Sequence, residues 1–124
     1  MVFVTVDEDR VRLETLTRLL VCTFPGSVIY QYTDLVFAII NMEKRKIDVV
    51  FVNLSILQKN NWKFLELLRR KKPNQQVFIL ADDEQLWDTA MEYGSWEYLV
   101  RPVTGQKLHE AIHFMIEEQT GLIC

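Results

Sequence analysis

Cysteine, glycine and proline are scarce in this sequence: of 124 residues, two are Cys, four Gly and three Pro. Cys22 and Cys124 lie far apart, so they form no disulfide framework, and a reducing cytosol suits them. Cys22 reads as a small buried hydrophobe and Cys124 as an oxidisable tail. Long apolar runs are missing too. None reaches the roughly 18 residues that a bilayer span requires, and Met1-Val2-Phe3-Val4 lacks the charged start and apolar core of a signal peptide. Nor do cations dominate. Fourteen basic against seventeen acidic residues give a formal charge of −3, which argues against non-specific nucleic-acid binding. The expectation is one cytoplasmic domain, residues 1–124, with neither nucleic acid nor membrane as a direct partner.

What is present is a regular alternation. Ile47 to Val52 is apolar apart from Asp48 and rich in β-branched residues, the pattern of a strand buried on both faces of a parallel sheet. It ends at Asn53, and the carboxyl end of a central strand is where open α/β sheets place ligand sites. Val2–Val6, Ser27–Tyr32, Gln76–Leu80 and Trp96–Val100 read as the other strands. Between and after them, helices are expected over Arg10–Cys22, from Thr33-Asp34 through Met42, after Asn60-Asn61-Trp62, over Glu84–Tyr93 and from Thr104 to about Glu118. Their stripes are Leu13, Leu16, Leu19 and Leu20; Leu35, Ala38, Ile39 and Met42; Phe64, Leu65 and Leu68; and Leu108, Ala111, Ile112, Met115 and Ile116. Asp9 is placed as an N-cap and Gly94 as a C′ residue. Five βα units without repeats imply a parallel sheet with helices on both faces.

The ends of the first, third and fifth strands bring Asp7, Glu8, Asn53 and Arg101 to one rim, with Ala81 of the fourth strand beside them. This constellation, its spacing, and the segment Gly94-Ser95-Trp96-Glu97-Tyr98-Leu99-Val100-Arg101-Pro102 resemble the response-regulator receiver domain of two-component signalling, from Val2 to about Met115. The resemblance implies a flavodoxin-like sheet of strand order 2-1-3-4-5. In that family an acidic pair binds Mg²⁺, an Asp accepts a phosphoryl group, and a Thr or Ser and a Lys before Pro complete the site. Asp7 and Glu8, Asn53, Ala81 and Arg101 stand at those positions here. An amide is too weakly basic to attack a phosphohistidine, and losing one carboxylate weakens the hold on Mg²⁺. Ala81 has no hydroxyl to offer. Arg101 keeps the charge but is planar and suited to gripping a carboxylate, so it is expected to reach Asp7 or Glu8 in place of the metal. No cofactor is expected beyond weak Mg²⁺ at that pair.

The family's switch aromatic is matched by Tyr98, which the small Ala81 leaves room to stay inward. In the loop after the third strand Leu57 and Asn61 replace a usual Pro and Gly, and Leu54, Ile56 and Leu57 are expected to pack over the disused pocket, with a partner surface as the alternative. Trp87, Tyr93 and Trp96 are candidate interface anchors on the surface of the fourth helix, fifth strand and fifth helix, where a homodimer would form. Trp96 is similar to the Phe of receivers coupled to LytTR-type DNA-binding domains, and Ala111 and His113 stand where receivers with winged-helix outputs would have Arg. Val36, Phe37 and Ile40 read as a widened core face, with an exposed sticky patch as the alternative. The basic run Arg69–Lys72 and the pair His109 and His113 read as solvated surface. Three functions follow: a phosphorylation-independent interaction or dimerisation module, a phosphoacceptor using Ser55 or Asp82 instead, or a small α/β enzyme or flavin carrier. The last needs a phosphate-cradling loop after the first strand, and Asp7-Glu8-Asp9 would repel phosphate.

Overall fold

β-branched runs and amphipathic segments alternate along the chain, and each becomes a separate element of the computed structural model, which describes residues 1–95 and 97–121. In order they are β1 (Val2–Val6), α1 (Arg10–Thr23), β2 (Val28–Tyr32), α2 (Leu35–Met42), β3 (Val49–Asn53) and α3 (Leu54–Lys59). Then come α4 (Lys63–Lys71), β4 (Gln76–Ala81), α5 (Trp87–Glu92), β5 (Glu97–Val100) and α6 (Gly105–Thr120). The strands form one parallel sheet of order β2-β1-β3-β4-β5, the flavodoxin-like arrangement. Register levels their carboxyl ends: Val6 pairs with Val52, Asn53 with Leu80 and Ala81 with Val100. The residues that follow the strands therefore share one rim.

β3 is buried along its whole length, as an apolar run between two neighbours must be. On one face Phe51 meets Phe3 and Phe78 edge-on, with centroids 5.6 and 5.3 Å away, under Leu16 and Leu20 of α1 and Leu108 and Ile112 of α6. On the other face Val50, Val52 and Ile79 pack against Ala38 and Met42 of α2, Leu57 of α3, Phe64 and Leu68 of α4 and Ala90 of α5. Asp9, Asp34 and Thr104 cap α1, α2 and α6 with their side-chain oxygens, each satisfying amides that the first turn leaves free.

Several expectations are corrected. Residues 54–59, read as a loop, form α3. The helix foreseen over Glu84–Tyr93 begins at Trp87, because the Asp83 carboxylate accepts from the Gln85 amide (3.0 Å), a local turn that competes with helix. Cys22 is exposed, since it lies about 200° around α1 from buried Leu20. Ile116 is exposed at the edge of its stripe. Val36, Phe37 and Ile40 also face solvent, because Leu35, Ala38 and Met42 suffice to cover the sheet. Trp96 and Cys124 lie outside the described residues.

Candidate functional site

β1 ends by delivering Asp7 to the rim, and its side chain is almost fully buried. One oxygen accepts from the Asp9 amide (2.9 Å). The carboxylate is gripped by Arg12, Nε to Oδ2 and Nη2 to Oδ1, both at 2.9 Å. Capping of α1 at Asp9 sets Arg12 in the first turn, directly over the strand end. The guanidinium is held further above its ordinary range, first by the hydrogen bond to Asp7. Arg12 was missed from sequence, although an Arg five residues after the acid and inside the first capped turn is a signal for this pairing.

Arg101, expected to take that role, reaches Asp7 only at ion-pair distance and spends its hydrogen bonds elsewhere. Its Nη2 donates to Asn53 Oδ1 (2.5 Å) and its Nη1 to Asp82 Oδ1 (3.3 Å), while Asp7 Oδ2 is 3.9 Å away. With Asp7 already bound at two points by Arg12, the next acceptor along the rim is the amide. The other end of Asn53 donates from Nδ2 to Ser55 Oγ (2.5 Å). Both polar ends of the amide are thus engaged.

Glu8 pairs with Lys59 Nζ at 2.7 Å and lies 3.4 Å from Ser55 Oγ. Lys59 reaches it because α3 starts immediately after β3 and runs back across the rim. The hydrogen bond from Lys59, chiefly, holds the Glu8 carboxyl below its ordinary value. These residues do not fit Mg²⁺. Such a cation needs oxygen ligands, usually carboxylates, and here the third carboxylate is an amide while each remaining one is neutralised by a cation of the same chain.

Ala81 presents a buried methyl group. Beside it opens a polar cleft of about 190 Å³ whose walls include Asn53, Leu54, Ser55, Asp82 and Arg101. Leu54 forms part of the wall, whereas Ile56 and Leu57 are buried in the core beneath it. Tyr98 is inward, 6% exposed, and its hydroxyl donates to the Asp83 carbonyl (2.8 Å). Burial, first, raises its ionisation above the ordinary range. Two side chains from the β5 end, Tyr98 and Arg101, therefore hold the loop between β4 and α5. The cleft has an amide at position 53 and a methyl group at position 81.

Among the anchor candidates, Trp87 is exposed, but Tyr93 is half-buried and stacked on Trp62 (5.1 Å, 5°). Trp62 was not foreseen. It and Asn61 occupy left-handed backbone, φ 62° and 53°, which is costly for a bulky residue, and the stack offsets part of that cost. His109 and His113 are exposed, and His113 Nε2 lies 2.6 Å from Glu117. Among the described residues no group of three His, Cys, Asp or Glu is placed to hold a metal, and no helix is long and apolar enough to cross a membrane.

The family profile of the response regulator receiver domain matches residues 3–113. A response regulator receiver domain protein from Clostridium thermocellum superposes with a TM-score of 0.80 at 25% identity, over 98% of each chain. A CheY-like receiver domain protein from Methanospirillum hungatei superposes at 0.81, again over 98% of each, with 17% identity and so a likeness of fold. An uncharacterized response regulatory protein of Vibrio cholerae is 25% identical over 113 residues, 91% of this chain and 47% of that protein. The chain thus spans about half the length of the curated relative it matches. Strand order and sequence profile agree over nearly all of the chain, which belongs to the response regulator receiver domain family.

Proposed function

We propose that this receiver works without phosphorylation, as an interaction or dimerisation module held in one conformation. The observation that carries the reading is Asn53. Its amide stands where the family has the carboxylate nucleophile, and Arg101 and Ser55 occupy its two ends. Pairing of Asp7 with Arg12 and of Glu8 with Lys59 supports it, since the acids are balanced without a metal. Inward Tyr98, bonded to the Asp83 carbonyl, supports a fixed surface over α5, β5 and α6. The subclass proposed is the LytTR-like one, in keeping with buried Ala111 and with His113 paired to Glu117.

A second reading rests on Ser55, whose hydroxyl lies 3.4 Å from the Glu8 carboxylate and could receive a phosphoryl group in place of residue 53. Intact-mass spectrometry after incubation with acetyl phosphate and Mg²⁺ separates the two. The expected result is no added phosphate, and an acid-labile adduct on residue 53 would overturn the proposal. An acid-stable adduct on Ser55 would establish the second reading.

A further inference from the structure

We propose that the chain pairs with a second copy of itself through two complementary patches, the outer face of α2 on one copy against the acidic ledge that opens α5 on the other. The first patch is unusual for a surface helix. No residue of α2 is charged, yet Val36 and Phe37 are each 63% exposed and Ile40 52%. At 100° per residue these three share a stripe opposite the buried Leu35, Ala38 and Met42. An apolar stripe of this kind marks an interaction surface.

Cations border that stripe. Residues 44–46 are all basic, as are residues 69–72, and the fold clasps the two runs together: Lys71 pairs with Glu43, and Lys72 Nζ donates to the Arg45 carbonyl at 2.6 Å. The second patch has the opposite charge. Asp83, Glu84 and Asp88 are exposed and have no ion pair among the described residues. Between them stands Trp87, 48% exposed. Each patch thus supplies what the other lacks: aliphatic surface edged by cations, and an indole edged by acids.

Both belong to the helical layer of α2, α4 and α5, which packs on a single face of the sheet. A two-fold axis parallel to that layer lets each copy's α2 meet the other's ledge, so both contacts form twice and the assembly closes as a dimer. A polyanion such as nucleic acid, or an anionic bilayer, would use the cationic end and leave the ledge without a role. The inference does not depend on whether residue 53 can be phosphorylated, and its test uses no phosphodonor.

Sedimentation velocity of the whole chain at low salt and at about 0.5 M salt tests it. The expected result is a dimer that salt weakens. Lys44→Glu with Lys46→Glu, or Asp83→Lys with Glu84→Lys, should each weaken self-association roughly a hundredfold, because like charges then face each other. Mixing the two variants should restore a one-to-one dimer, since both contacts are again complementary. Circular dichroism verifies that each variant is folded. A wild-type chain that stays monomeric, a dimer indifferent to both reversals, or variants that fail to pair on mixing would overturn the proposal. So would a monomer that floats with phosphatidylserine vesicles, which would reassign the cationic end to a lipid surface.

Discussion

The interior of the sheet and its carboxyl rim are adjacent but are held together differently. Inside, Phe51 meets the rings of Phe3 and Phe78 edge-on, and stability there follows volume and fit. At the rim polar pairs do the holding, chiefly Asp7 with Arg12, Glu8 with Lys59, and Asn53 with Arg101 and Ser55. The interior spreads its energy over many weak contacts, so damage scales with the atoms removed. The rim concentrates its energy in a few charges, so damage depends on which partner is left behind.

The largest expected effect is in the interior. Phe51→Ala empties a fully buried site and should lower stability by about 3–5 kcal/mol, read as a shift of the urea midpoint. A loss below about 1 kcal/mol would show that these edge-on rings are not the centre of the core. Next comes Arg12→Met, which strips the buried Asp7 carboxylate of its two hydrogen bonds from a cation and leaves only Arg101, at 3.9 Å. Because Arg12 is itself partly exposed, the cost should be about 1–3 kcal/mol, less than for a fully buried pair. Adding Asp7→Asn to that variant should recover part of the loss, and a purely additive double variant would mean that the pair is not coupled.

The smallest effect is at Glu8, on the surface. Its folded-state pKa is depressed by Lys59, so its contribution to stability is present above the ordinary value of 4.5 and is lost as pH falls through the lowered one. A carboxyl-carbon NMR titration should place the Glu8 midpoint below 4.5, and Lys59→Met should move it upward. A midpoint unmoved by that substitution would remove Lys59 from the site.

The same contrast explains what could be read from residues alone. Apolar periodicity located all five strands, and β3 most clearly, because a strand buried on both faces can hardly be written in any other residues. The cap Asp9 was legible for a similar reason, as a short acid just ahead of a helix-spaced apolar stripe. The rim was legible in its members and less so in its pairings. Arg101 was expected on the acids, but several long cations compete for a few oxygens, and the winner depends on helix starts that vary by a residue or two. Arg12 prevails over Arg101 at Asp7 because only three residues separate the end of β1 from the start of α1. Lys59 reaches Glu8 only because residues 54–59 are helical, where sequence suggested a loop.

The two left-handed residues at Asn61 and Trp62 solve a problem of length. Residues 54–71 are helical on both sides of that break, and as one straight rod they would extend about 27 Å. The strands beneath are five or six residues long, roughly 17–20 Å. An unbroken helix would overhang the sheet by about half its depth again and carry apolar side chains past the surface they cover. The break shortens the span and lets Leu57 on one side and Phe64 on the other reach the same buried layer.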